Sequence, residues 1–289
     1  MTSTHDMEPH TRDVMEMLAA CTVQHGPNSD RVYLMKLHPG CQAEIAASEV
    51  NHLAQQHGYS KIFAKVPADA WSVFERHGYR CEAEIPAFYG GTQTGLFLAR
   101  YLTDARAEPT EPERIEAVLA AARQKANQPA PSPNDDFTIR LCEPPDADAM
   151  AGLYREVFPS YPFPIDDPAY LRDTMASHIR YYAAVYDGRL AALASAETEP
   201  DHRNVEMTDF ATDPAHRGRG LALRLLARME RDMAAEGFRT AYTIARACSH
   251  GINITFARAG YRFAGTLVNN TDIAGRIESM NVWHKSLAR

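Results

Sequence analysis

The chain is short of the features that mark several protein classes. Its five cysteines, at positions 21, 41, 81, 142 and 248, are odd in number and include no Cys-x-x-Cys. That argues against a disulfide scaffold or a cysteine-rich zinc site and fits reduced thiols. No apolar run approaches the ~20 residues that cross a bilayer. The opening MTSTHDMEPHTRD is polar, unlike a secretory signal. The expectation is a cytoplasmic protein without a membrane partner. A net charge of −7 over 289 residues leaves no basic footprint for nucleic acid and mildly favours a cationic substrate. The twelve histidines contain no His-x-x-x-His pair, so no metal is expected. Neither Gly-x-Gly-x-x-Gly nor Gly-Lys-Ser/Thr occurs.

What is present is ordinary globular composition, 45% hydrophobic and 23% charged. The length suggests about two domains. NQPAPSPNDD, with three prolines and no large apolar residue, reads as a linker over 127–136. The boundaries that follow are 1–126, 127–136 and 137–289.

Residues 1–11 read as a loose tail, and Val14 to Leu18 as a strand or short helix. Strands are expected at Val32 to Leu37, Lys61 to Val66, Arg80 to Ile85 and Leu96 to Leu102. Helices are expected at Ile45 to His57, Ala70 to Arg76 and Pro112 to Lys125. The first should bury Ile45, Val50, Leu53 and Ala54. In the second half the expected order is β-α-α-β-β-β-α-β-α-β-β, with a hairpin turning at Asp187-Gly188. Leu221, Leu225, Met229 and Met233 stand at helical spacing.

The halves share a pattern. HGYSKIFAKV and FERHGYRCEAEI in the first match EGFRTAYTIA and FARAGYRFAGTL in the second. Gly58 pairs with Gly237 and Phe74 with Phe256. Each block reads helix, glycine stop, strand, short helix, Gly-Tyr, strand.

The stretch DFATDPAHRGRGLA, Asp209 to Ala222, joins a strand to a long helix. A helix start offers unpaired N–H groups and a positive dipole end, which suits phosphate. Gly218 and Gly220 let a ligand approach the backbone. Arg217 and Arg219 add positive charge, and Leu221 and Ala222 open the helix. This segment resembles the pyrophosphate loop of the GNAT superfamily of N-acetyltransferases, Gln/Arg-x-x-Gly-x-Gly/Ala, filled here by Arg217, Gly220 and Ala222. The first half has no such loop; it resembles a degenerate GNAT-like unit that packs on the second and shapes its cleft.

The resemblance implies the GNAT α/β (α+β) fold and acetyl-CoA as co-substrate. It implies a pantetheine rail along Phe210, Ala211 and Thr212, where the fourth strand splays from the fifth. It places Glu206 as general base or ammonium anchor. Asp209, a candidate for the substrate, lies near but, by strand alternation, on the other face. The tyrosine that protonates the leaving thiolate in many relatives is replaced by Phe256, itself a candidate for the cofactor, leaving Tyr261, water, or no acid at all, since a thiolate leaves readily. Asn253 is a candidate for the cofactor. Tyr161, in an aromatic loop with Phe158 and Phe163, is a candidate for lining the amine cleft.

Longer stretches resemble the β-lysine N-acetyltransferase subfamily. They are HGPNSDRVYLMKL, GYSKIFAKVP, HGYRCEAEIPAFYGG, ATDPAHRGRGLA and TLVNNTDIAGRIESMNVWHKSL. What this implies is acetyl transfer to the ε-amine of β-lysine, giving a compatible solute. Other amines, a polyamine or a protein amine, remain alternatives, as does a non-catalytic acyl-CoA-binding module. Asn269, Asn270 and Glu278 are candidates for substrate contacts. A homodimer stays open.

Overall fold

The computed structural model describes residues 13–38, 40–126, 128 and 136–287. The expected tail and most of the expected linker lie outside them. The first half contributes β1 (Val14–Leu18), β2 (Cys21–Gly26), β3 (Arg31–Leu37), α1 (Ala43–His57), β4 (Lys61–Pro67), α2 (Trp71–Arg76), β5 (Arg80–Tyr89), β6 (Gln93–Tyr101), α3 (Asp104–Ala107) and α4 (Pro112–Lys125). The second contributes β7 (Thr138–Leu141), α5 (Ala147–Val157), α6 (Pro168–Met175), β8 (Ile179–Tyr186), β9 (Arg189–Glu199), β10 (Asn204–Thr212), α7 (Leu221–Ala235), β11 (Thr240–Arg246), α8 (His250–Arg258), β12 (Arg262–Ile273) and β13 (Arg276–Ser286).

The strands form one sheet in the order β1-β2-β3-β4-β6-β5-β12-β13-β11-β10-β9-β8-β7. Taken from β1 the first half runs β1-β2-β3-β4-β6-β5. Taken from β8 the second runs β8-β9-β10-β11-β13-β12, the same pattern. Each half has one parallel pair, β3 with β4 and β10 with β11. A helix connects each pair, and a right-handed crossover needs such a connection.

The matched blocks occupy equivalent places. Gly58 and Gly237 follow α1 and α7 with φ of +68° and +90°. Phe74 meets Tyr79 edge-on with ring centroids 5.0 Å apart, and Phe256 meets Tyr261 the same way at 4.9 Å. Both phenylalanines are fully buried. Each aromatic pair locks a short helix onto the strand after it, so its first duty is packing.

Two expectations need correction. Ile45 is 46% exposed, and α1 buries Ala46 and Ala47 together with Val50, Leu53 and Ala54. The stripe facing the sheet is therefore rotated and made of small residues. β2 was not expected at all, yet it pairs with both β1 and β3.

The halves meet at a single strand pairing, Gly265 against Ala83. A Cβ on Gly265 would lie 1.9 Å from the Glu82 carbonyl oxygen, and its φ is +153°. Only glycine fits there. Side chains strengthen the seam. Lys61 Nζ donates to Glu82 Oε2 (3.0 Å) and to the Val268 carbonyl (2.6 Å). Arg106 Nε donates to the Asn269 carbonyl at 2.7 Å. An aromatic cluster of Tyr33, Phe63, Phe88, Phe97 and Tyr242 fills the space beside it.

Candidate active site

Two cavities meet at the end of β10. The larger, about 660 Å³, runs from the start of α7 past β10 and β11 to α8. Its walls include Phe210, Thr212, Arg217, Gly218, Arg219, Gly220, Leu221 and Ala222. Gly218 and Gly220 adopt φ of +77° and +71°, which turns the loop tightly into α7. The first helical bond of α7 runs from Arg224 N to the Gly220 carbonyl at 3.2 Å. The amides of Leu221, Ala222 and Leu223 precede it and have no partner within the helix, the arrangement that suits an anion.

β10 and β11 pair only from Asn204 to Glu206, against Thr240 to Tyr242. Beyond Glu206 the strands part. The space between them continues the groove and bares backbone groups of Phe210 to Thr212. A pantetheine arm fits this slot, and a diphosphate fits the α7 end. Phe210 and Thr212 face the groove, whereas the Ala211 side chain is buried in the core. Ala211 therefore offers only its backbone.

The second cavity, about 230 Å³, shares Tyr161, Thr208, Asp209, Ile244, Ile273 and Met280 with the groove. Its acidic members are Glu197, Glu206 and Asp209. A regular strand would place residues 206 and 209 on opposite faces. β10 is not regular. Its register against β9 shifts between Thr208 and Ala211, and Asp209 sits at φ +53°. This bulge turns Asp209 into the pocket that Glu206 lines, correcting the expectation from alternation. Tyr161 Oη donates to Asp209 Oδ1 at 2.6 Å, and Ser195 Oγ donates to its other oxygen at 2.5 Å.

Glu197 stands directly across from Glu206 on β9. Burial, and then the neighbouring Glu206 charge, push the Glu197 carboxyl up to about 7. Burial also raises Glu206, against the pull of Lys65 and a hydrogen bond with Tyr242. Burial raises Asp209 against its hydroxyl donors. The pocket thus holds proton acceptors of differing basicity beside a lysine. Lys65 Nζ donates to Tyr242 Oη at 3.1 Å, and its pKa stays above the ordinary lysine value; burial opposes the charge, but Tyr242, Tyr33, Glu199 and Glu206 outweigh it.

Several expected residues are elsewhere. Asn253 is fully buried and its side chain is spent on the protein. Its Nδ2 donates to the Arg246 and Ser249 carbonyls, and its Oδ1 accepts from Asn281 and Trp283. Nothing is left for a cofactor. Phe256 packs edge-on against Phe210 beneath the groove and does not line it. Tyr261 lines neither cavity; it lies in the core under Lys285 and beside Glu230.

Asn269 clamps the seam, with Nδ2 donating to the Arg106 and Glu108 carbonyls at 3.1 and 2.7 Å. Glu278 is held by Arg246 (2.6 and 2.8 Å) and Arg276 (2.9 Å), outside the pocket. Asn270 does line it. Residue-by-residue reading missed Glu197, Arg31, Lys65 and Tyr33. The signal for Lys65 was a lysine set among the apolar residues of IFAKV, 62–66. Among the described residues no group of three or more His, Cys, Asp or Glu is placed to hold a metal, and no helix is long and apolar enough to cross a membrane.

A glycine-turned helix start with free amides, parted parallel strands and an acidic pocket at their junction are the parts an acyl-CoA-dependent N-acyltransferase requires. The acetyltransferase (GNAT) family model matches residues 147–261. A β-lysine N(6)-acetyltransferase of Methanococcus maripaludis is 35% identical over 91% of this chain and 95% of its own length. N-acetyltransferase YodP of Bacillus subtilis is 32% identical over 84% of this chain and 88% of its own. A β-lysine N(6)-acetyltransferase of Methanosarcina mazei is 30% identical, covering 84% of this chain and 97% of its own. The chain belongs to the GNAT acetyltransferase family. It is an acetyl-CoA-dependent enzyme that acts on an amine.

Proposed function

We propose that the chain transfers acetyl from acetyl-CoA to the ε-amine of β-lysine, giving N-ε-acetyl-β-lysine. The relatives that match it almost end to end supply the substrate's name. The observation that carries the reading is the small pocket with three carboxylates opening onto the donor groove. A space of about 230 Å³ takes one small diamino acid. A polyamine or protein amine calls for a long open acidic groove instead.

Bound acetyl-CoA supplies an activated acetyl thioester. The remaining work falls to the chain. The amides opening α7, with Arg217 and Arg219, hold the diphosphate. The parted backbone at 210–212 aligns the pantetheine. Glu206, Glu197 and Asp209 draw the substrate ammonium to the junction. An alkyl ammonium has a pKa near ~10.4, so a nucleophilic amine needs a proton acceptor. Glu206 takes that proton, its basicity raised by burial. A thiolate with a pKa near ~8.5 is a weak base and departs without a tyrosine acid, which agrees with Phe256 and Tyr261 lying outside the groove.

The 137–289 segment is the catalytic unit in this reading, and the 1–126 half is a GNAT-like partner without a phosphate loop. The repeated strand order supports that division.

A thiol-release assay with acetyl-CoA against β-lysine, lysine, spermidine and a lysine peptide tests the proposal. β-Lysine should give the highest kcat/KM. Faster turnover of spermidine or the peptide, or cofactor binding with no turnover, would overturn it.

A further inference from the structure

Arg31 opens β3 in the first half, yet it lines the amine pocket of the second. Its residue is 4% exposed. Its Nη1 donates to the Asn270 carbonyl (2.6 Å) and to Thr271 Oγ1 (2.9 Å), which aims the guanidinium across the seam. Its Nε is buried with no hydrogen-bond partner. Among the described residues no carboxylate forms an ion pair with it. Tyr33 and Phe63 lie under the guanidinium, 5.2 and 5.8 Å from its carbon to the ring centroids. A buried cation without an anion is costly, and an open donor beside a cavity is a vacancy for a ligand acceptor.

A second orphan stands next to it. Asn270 Oδ1 is buried without a donor, and Asn270 lines the same pocket. Two residues that line one space therefore each carry an unmatched polar atom, a donor in Arg31 and an acceptor in Asn270. The lysine in that space, Lys65, is already engaged by Tyr242.

We infer that Arg31 is the carboxylate anchor of the amine substrate and that Asn270 Oδ1 accepts from the ammonium nearest that carboxylate. The ligand class is an amino acid bearing a distal amine. The carboxylate end docks on the first half, and the distal amine points at Glu206 and the groove. This rests on the amine-pocket reading above. It gives the first half a direct part in substrate selection. A planar fork binds a carboxylate through two parallel bonds, which a lysine at position 31 would not reproduce fully.

The test is binding without chemistry, by calorimetry on the full chain saturated with coenzyme A. Two matched pairs are used: β-lysine with 1,4-diaminopentane, and lysine with cadaverine, each differing only by the carboxylate. Wild type should prefer the carboxylate member of at least one pair by about 10- to 100-fold, the range a charge-assisted bond to a buried group gives. Arg31→Gln should bring that ratio close to one, and Arg31→Lys should recover part of it. β-Lysine amide, tested on the wild type alone, should bind as poorly as the diamine, which keeps the test independent of any folding defect in a variant. A wild-type ratio near one for both pairs, or an unchanged ratio in Arg31→Gln, overturns the anchor. Selective binding of β-lysine with no acetyl transfer would sink the proposed reaction and leave the anchor standing.

Discussion

Glu197 and Glu206 face each other across β9 and β10, two carboxyls on one face of the sheet in the smaller cavity that joins the donor groove. They cannot both ionise at no cost. The folded Glu197 pKa of about 7 exceeds its reference value of 4.5. A raised acid favours folding below the lower value and loses that contribution as pH climbs through the higher one. Glu197→Gln has no such titration. The wild type should therefore lose stability relative to Glu197→Gln between about pH 4.5 and 7. The Glu197 side chain is 31% exposed. Screening by pocket water reduces the difference to ~1 kcal/mol. Urea unfolding of both proteins across that pH range would measure it; parallel curves would refute the assignment.

Glu206→Gln removes the proton acceptor while keeping the shape. The expected loss is about 10²- to 10⁴-fold in kcat with β-lysine, the usual worth of a general base. Ionisation of wild-type Glu206 should give kcat/KM an acid limb placed above an ordinary glutamate pKa, because burial raises this group. The limb should vanish in the variant. A variant that keeps both rate and limb would move the base elsewhere.

Gly220→Val should strike the donor side alone. Gly220 sits at φ +71° immediately before α7. A side chain there costs ~1–2 kcal/mol in backbone strain and crowds the phosphate. The KM for acetyl-CoA should rise about tenfold or more, with a much smaller change in the KM for β-lysine. Steady-state kinetics with each substrate varied in turn separates the two.

Gly265→Ala should strike the seam. The new methyl meets the Glu82 carbonyl, so β12 must shift away from β5. Overpacking of this kind costs ~1–3 kcal/mol. A calorimetric scan should show a lower Tm. Since Asn270 and Thr271 follow on the same strand and line the pocket, the KM for β-lysine should rise as well. A change in Tm with no change in KM would show that the seam does not govern the pocket.

The fold was legible where periodicity and turn chemistry agree. α4 occupies Pro112–Lys125 as expected, and Leu221, Leu225, Met229 and Met233 are all buried along α7. β2 escaped notice because CTVQHG mixes polar residues with two weak apolar ones, although Gln24 and His25 are in fact buried. Ile45 misled because apolarity alone does not fix the phase of an alanine-rich helix. The donor loop was readable because its residues are contiguous. The amine pocket was not, because Arg31, Lys65, Glu197 and Glu206 come from four strands on both halves. Only the shared sheet brings them together. Asn253 and Tyr261 show the reverse error. A polar residue in a motif position served the interior instead.

The extra residue in β10 fixes the length of its segment more firmly than its composition. Downstream of Asp209, Phe210 and Thr212 look into the groove while Ala211 fills the core. Deleting one residue there would exchange those roles, sending an aromatic ring inward and a methyl outward. Point changes at 208–212 should thus be graded in their effects, whereas insertions and deletions should be all-or-none. Variation among functional descendants of this chain ought to spare the spacing between Glu206 and Arg217 before it spares any single letter between them.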